Sequence, residues 1–189
     1  MKRFFFKLTR LLLLSALGGA AWVAHRPERL PAVAVEKVRE QDLLDELRQA
    51  ALKRSSMLEI PEAALNRYLT AVLPQRVGSQ MADWVRLQDT RVDLEDGRAH
   101  VVIAWDVRGF QRTASIDLAI TRRGENFHVE VLSGAVGHLR LPRGLMRPLH
   151  PTLQVVADAL DAEIRALFQM TQITLGKDKL VLDSRFPAA

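Results

Sequence analysis

The chain contains no cysteine. That absence excludes disulfides, thiolate metal sites and a cysteine nucleophile. A phosphate-binding glycine loop is missing too, as is a G-x-S-x-G elbow for a serine nucleophile. The nearest approach, Ser133-Gly134-Ala135, lacks the first glycine. The five histidines, His25, His100, His128, His138 and His150, form no i, i+4 pair and no metal-ligand spacing with carboxylates. His100 and His128 fall on the polar sides of strands and read as surface residues. The paired carboxylates Glu95-Asp96 are explained by a turn. These absences predict a protein that is not an enzyme and needs no metal or cofactor. There is no internal repeat or low-complexity tract.

A basic face is lacking as well, despite a pI near 10.1. Residues 1–29 hold six basic side chains (Lys2, Arg3, Lys7, Arg10, Arg26, Arg29) against Glu28. Removing these from the totals of 27 basic and 22 acidic residues leaves 21 of each. The charge excess is topogenic, and nucleic acid is not an expected partner.

What the chain does have is a basic head followed by an apolar run. Lys2, Arg3, Lys7 and Arg10 surround Phe4, Phe5 and Phe6, and Leu11 to Ala24 carries no charge. This is the pattern of a secretory signal or signal anchor. Gly19-Ala20-Ala21 before Trp22 offers a loose cleavage site, so cleavage and secretion stay open. Retention is the expectation, with the N-terminus cytoplasmic and the domain outside, on a single-pass inner-membrane protein. The expected organisation is an anchor and linker at 1–29, a juxtamembrane amphipathic helix within 30–56, and an α+β domain at 57–189.

Within 30–56 the spacing of Val38, Leu43, Leu44, Leu47, Ala51 and Leu52 predicts a helix over Glu36 to Lys53. Met57 to Ile60 reads as a short strand, and Pro61 starts a second helix that Pro74 closes. From Trp84 the period falls to two. Val85 to Leu94 switches face midway, which predicts a bulge. Asp96-Gly97 signals a hairpin. Gly109 and the run Arg123 to Asn126 mark further turns, giving an antiparallel meander with one apolar face per strand. From Leu149 to Phe168 the stripe Leu153, Val156, Leu160, Ile164 and Leu167 predicts one continuous helix of about 30 Å crossing the sheet. A hairpin over Thr171 to Asp183 ends the chain. The expected fold is therefore α+β: a membrane helix, then a curved antiparallel meander wrapped on a long C-terminal helix, then a hairpin. A cystatin-like or nuclear-transport-factor-like sheet cupping a helix is the rival.

The segment Val136 to Leu149 stands out, because no acidic residue lies between Glu130 and Asp158. Arg140, Arg143 and Arg147 interleave with Leu145 and Met146, a mixture suited to a membrane interface. Its G-x-L-x-L-P stretch, together with Ile60-Pro61-Glu62-Ala63-Ala64-Leu65-Asn66-Arg67-Tyr68-Leu69, resembles small membrane-anchored bacterial proteins of the YpmS and YceB type. The resemblance covers roughly residues 57–170 and implies a curved sheet wrapping a helix, as in tubular lipid-binding domains. The missing lipoprotein cysteine excludes a YceB-like lipid anchor. The expected ligand groove is apolar, lined by Trp105, Ile116, Leu118, Leu153, Val156 and Leu160, and would hold a lipid or acyl chain. The competing expectation is an accessory protein of the cell envelope that works through a protein partner.

Overall fold

The computed structural model describes residues 2–26, 41–53, 57–78, 84–123, 126–142 and 150–185. Helix α1 (Lys2–His25) is followed by α2 (Gln41–Lys53), β1 (Met57–Pro61) and α3 (Glu62–Gly78). The meander is β2 (Val85–Glu95), β3 (Arg98–Val107), β4 (Phe110–Arg123), β5 (Asn126–Val136) and β6 (Leu139–Leu141). Helices α4 (His150–Ala159) and α5 (Asp161–Phe168) precede the hairpin β7 (Gln172–Gly176) and β8 (Lys179–Asp183). The five-stranded sheet runs β2-β3-β4-β5-β6, and a separate three-stranded sheet runs β1-β8-β7. All pairings are antiparallel.

The meander follows its turn chemistry. Asp96-Gly97 joins β2 to β3, with Gly97 at φ 75°. The next turn takes positive φ at both Arg108 (55°) and Gly109 (83°), as a type I′ hairpin requires. The expected bulge in β2 falls between Leu87 and Asp89.

Three expectations need correction. First, among the described residues no helix is long and apolar enough to cross a membrane. That finding overturns the transmembrane signal anchor and the single-pass inner-membrane location. The reason is length: as a helix, the uncharged stretch Leu11–Ala24 of α1 spans about 21 Å, against a hydrocarbon core of about 30 Å.

Second, the long C-terminal helix is two short ones. Leu160 breaks it at φ −107°, ψ 16°. The Arg76 guanidinium donates to the Ala159 carbonyl at 2.9 Å, an acceptor that a continuous helix would give to the Glu163 N–H. Glu163 is itself drawn inward to Arg76 (2.9 Å) and to the Tyr68 hydroxyl. The apolar stripe was real, but a cation from another helix competed for the backbone. Third, Pro74 does not close α3, which continues to Gly78. Leu73 and Val77, one turn apart, are both fully buried and hold the helix together past the missing N–H. The expected helix start at Glu36 lies outside the described residues.

The sheet is covered by α3 rather than by the C-terminal helices. Its side chains run down the edge strand β2: Glu62 accepts from the Leu94 N–H (2.7 Å). Asn66 accepts from the Val92 N–H (2.6 Å) and donates to its carbonyl (2.7 Å). Thr70 donates to Asp89 (3.0 Å). Glu62 and Asn66, four apart on the helix, thus occupy backbone groups that an edge strand would otherwise present to other chains, and Thr70 continues the line to the Asp89 carboxylate. The β7–β8 turn adds to this, with the Asp178 N–H on the Leu94 carbonyl and the Gly97 N–H on the Leu175 carbonyl. The core between α3 and the sheet holds Tyr68, Leu69, Leu73, Leu94, Ile103 and Trp105.

Candidate functional site

The six residues expected to line an apolar groove fall into two groups. Trp105 and Val156 are buried in the core, and Leu153 and Leu160 pack against it. Ile116 is buried and Leu118 half-buried, both on the helix-facing side of β4. None of the six lines the pockets described below. Of the expected membrane-contact residues, Arg140 sits exposed on β6. Arg143, Leu145, Met146 and Arg147 lie outside the described residues.

The helix-facing side of the sheet is unevenly covered. Over β2 and β3, α3 buries the apolar side chains. Over β4 and β5, Leu118 stands opposite Val131, Ile120 opposite Val129, and Arg122 opposite Phe127. Val129 and Val131 remain 42% and 38% exposed. Phe127 stacks on Phe168 with ring centroids 6.1 Å apart, and Phe168 is itself 47% exposed. Leu118, Ile120, Val129, Val131, Phe127 and Phe168 form an apolar strip, because directly opposed residues on paired strands share a face, and the Arg122 guanidinium lies over the Phe127 ring at its end.

The opposite side of the same sheet is polar. A cavity of about 570 Å³ lies across it. Ser115, Gly134, Ala135 and Gly137 are among its lining residues, and their small size is what leaves the space. One row of residues crosses four strands beside them: Asp93 stands opposite His100, His100 opposite Asp117, and Asp117 opposite Ser133. The His100 Nδ1 is 2.7 Å from one Asp117 oxygen, and the Ser133 hydroxyl donates to the other. Burial alone would raise the Asp117 carboxyl. The bonds from Ser133 and His100, with the charges of His100 and Arg98, more than offset it and hold Asp117 below its ordinary value. Arg98, His138 and Arg140 complete the walls.

This row is not a catalytic triad. In such a triad the serine bonds to histidine, whereas here the aspartate stands between them. Ser133 uses its proton on a carboxylate and is not activated as a nucleophile. Among the described residues no group of three or more histidines, aspartates or glutamates is placed to hold a metal ion.

A second cluster is structural. Tyr68, Arg76 and the buried Glu163 tie α3 to α5. Burial, then the hydrogen bond and charge of Glu163, push the Tyr68 hydroxyl up to about 12. Two smaller cavities lie at the α2–α3 junction beside Tyr68 and Arg76, and beside Trp84 and Arg108. Asn66 and Tyr68, which carry the family-like helix pattern, are thus both committed to packing.

Comparison with known protein families yields no matching family model, and comparison with curated proteins yields no match.

Reasoning from sequence treated His100 as a surface residue and missed the row to which it belongs. A signal was present. Counting outward from Asp96-Gly97 sets His100 opposite Asp93, and counting from Arg108-Gly109 sets it opposite Asp117. The partner of Asp117 on β5 could not be counted in the same way, because a register shift intervenes after Asp117.

Proposed function

We propose that the domain is a non-enzymatic binding module that holds the acyl chain of a lipid along the β4–β5 strip. The observation that carries this reading is the exposure of Val129 and Val131 on a sheet face whose other half is tightly covered, with the exposed Phe168 of α5 beside them. The strip runs about 14 Å along β5 at about 3.4 Å per residue. Each methylene group covered there contributes about 0.8 kcal/mol. Ile116 and Leu118, read from the sequence as groove residues, lie on this same face. The likeness of the Asn66–Tyr68 helix to proteins with tubular lipid-binding folds agrees with the reading. An envelope accessory protein acting through a protein partner would use the same strip.

Native mass spectrometry of gently purified protein tests it. An added lipid mass, lost in Val131→Lys, is the expected result. A clean apo mass, with no uptake of a fluorescent fatty acid, would sink the lipid reading. A protein that co-purifies with wild type but not with Val131→Lys would favour the accessory role instead.

A further inference from the structure

The polar cavity faces away from the apolar strip, and its chemistry is different. We propose that it is a second ligand site, for a small anion that carries a hydroxyl or amino group beside its phosphate or carboxylate. The inference does not depend on a lipid in the strip.

The polarity of the site sets the polarity of its ligand. Strand β2 contributes Asp93 and Glu95 to one wall, and β6 contributes Arg140 to the other. These walls are four strand spacings apart, about 19 Å. Arg140 has no ion-pair partner among the described residues and is exposed at the rim on β6, with His138 in the turn just before that strand. Arg98 is held only loosely, 3.8 Å from Glu95. An anionic group therefore belongs at the β6 wall, where a guanidinium can meet phosphate or carboxylate with two parallel hydrogen bonds.

The middle of the site selects for donors. Ser133 gives its proton to Asp117, so its oxygen faces the cavity as an acceptor. Asp93 lies one strand beyond His100 in the same row. A ligand whose anion sits on Arg140 points its other end toward this acceptor row, and a hydroxyl or amino group matches it. A bare anion leaves the row unused, and a neutral polyol leaves Arg140 unused. A divalent cation is not the class indicated, since no metal-holding group is present among the described residues.

The test is a calorimetric titration of the full chain with sn-glycerol 3-phosphate, serine, inorganic phosphate and glycerol. Glycerol 3-phosphate or serine should bind at least about tenfold more tightly than either inorganic phosphate or glycerol. Arg140→Gln should weaken that binding about tenfold, roughly one charge-assisted hydrogen bond. Ser133→Ala should narrow the preference over inorganic phosphate. Arg140 is exposed, so its replacement leaves the fold intact, and an unchanged circular dichroism melt checks this. Val131→Lys should leave the titration unchanged. Phosphatidylglycerol vesicles that displace glycerol 3-phosphate would assign this chemistry to a lipid headgroup, and vesicles that do not would assign it to a free small molecule. Either result keeps the site. Equal affinity for inorganic phosphate and glycerol 3-phosphate overturns the proposal. So does full binding by Arg140→Gln, or no heat with both glycerol 3-phosphate and serine.

Discussion

At its β2 edge the five-stranded sheet is sealed by Glu62, Asn66 and Thr70 of α3, while over β4 and β5 its apolar face still shows Val129 and Val131, beside the exposed Phe168 of α5. The two regions are made from the same kind of strand, with one apolar and one polar side. What separates them is whether a helix arrives with polar groups in the right register for the backbone. Helix α3 does, because Glu62 and Asn66 are four residues apart and lie on one line, which Thr70 continues to the Asp89 side chain. The broken pair α4 and α5 packs mainly against α3 and α2 instead, and reaches the far strands only where Phe168 stacks on Phe127, so that Val129 and Val131 stay exposed. The tightly covered half of the sheet lies at one end, and the exposed apolar side chains lie at the other.

The sharpest way to break that contrast is at Asn66, only 1% exposed. Asn66→Ala leaves the Val92 N–H and carbonyl buried without partners, and about 3 kcal/mol of stability should be lost. Urea unfolding reads this, and hydrogen exchange at the Val92 amide should accelerate. A loss below about 1 kcal/mol would mean that α3 does not seal the edge.

Tyr68→Phe comes next. It removes the hydroxyl bonded to buried Glu163 but keeps the ring, so about 2 kcal/mol should go, the usual cost of losing a hydrogen bond to a charged group. The fatty-acid uptake proposed for the strip should be unaffected. If uptake falls, the helical layer and the strip are coupled and the contrast is too simple.

Asp117 gives a pH-dependent effect whose sign is set. Its folded value lies below its ordinary 3.8, so the row contributes stability above that value and loses it as pH falls through the folded one. Wild type should exceed Asp117→Asn in urea midpoint at pH about 6, and the gap should narrow progressively as pH falls below about 4. A gap that persists in acid would show that geometry, rather than the ionised carboxylate, carries the row.

The smallest effect belongs to the strip. Val129→Thr should change stability by no more than about 0.5 kcal/mol, the range for surface positions. A larger loss would show that Val129 is covered in solution, and the strip would not be free to bind.

Much of this fold was legible in the residues. The period-two pattern located β2 to β5, Asp96-Gly97 and Gly109 located their turns, and the switch of face in Val85–Leu94 located the bulge. The strand at Met57 and the terminal hairpin were readable too. Their pairing through β8 was not, because nothing near Met57 names a partner more than a hundred residues away. For the site, the small residues at Ser115, Gly134, Ala135 and Gly137 were visible only as composition. They line a cavity only when β4, β5 and the turn after β5 are brought side by side.

The sequence by itself determined the local states: where the chain alternates, where it coils with apolar residues on one side, and where glycine permits a turn. Those depend on sterics and burial preferences within a few residues. The tertiary structure decided which helix would cover the sheet, where the C-terminal stripe would break and which polar side chains would meet. Each of those outcomes is a competition for a particular partner, as when Arg76 takes the Ala159 carbonyl from the helix that would have used it. A hydrogen bond between residues 83 apart in the chain has no local signature, because its energy depends on a distance that only the folded chain defines.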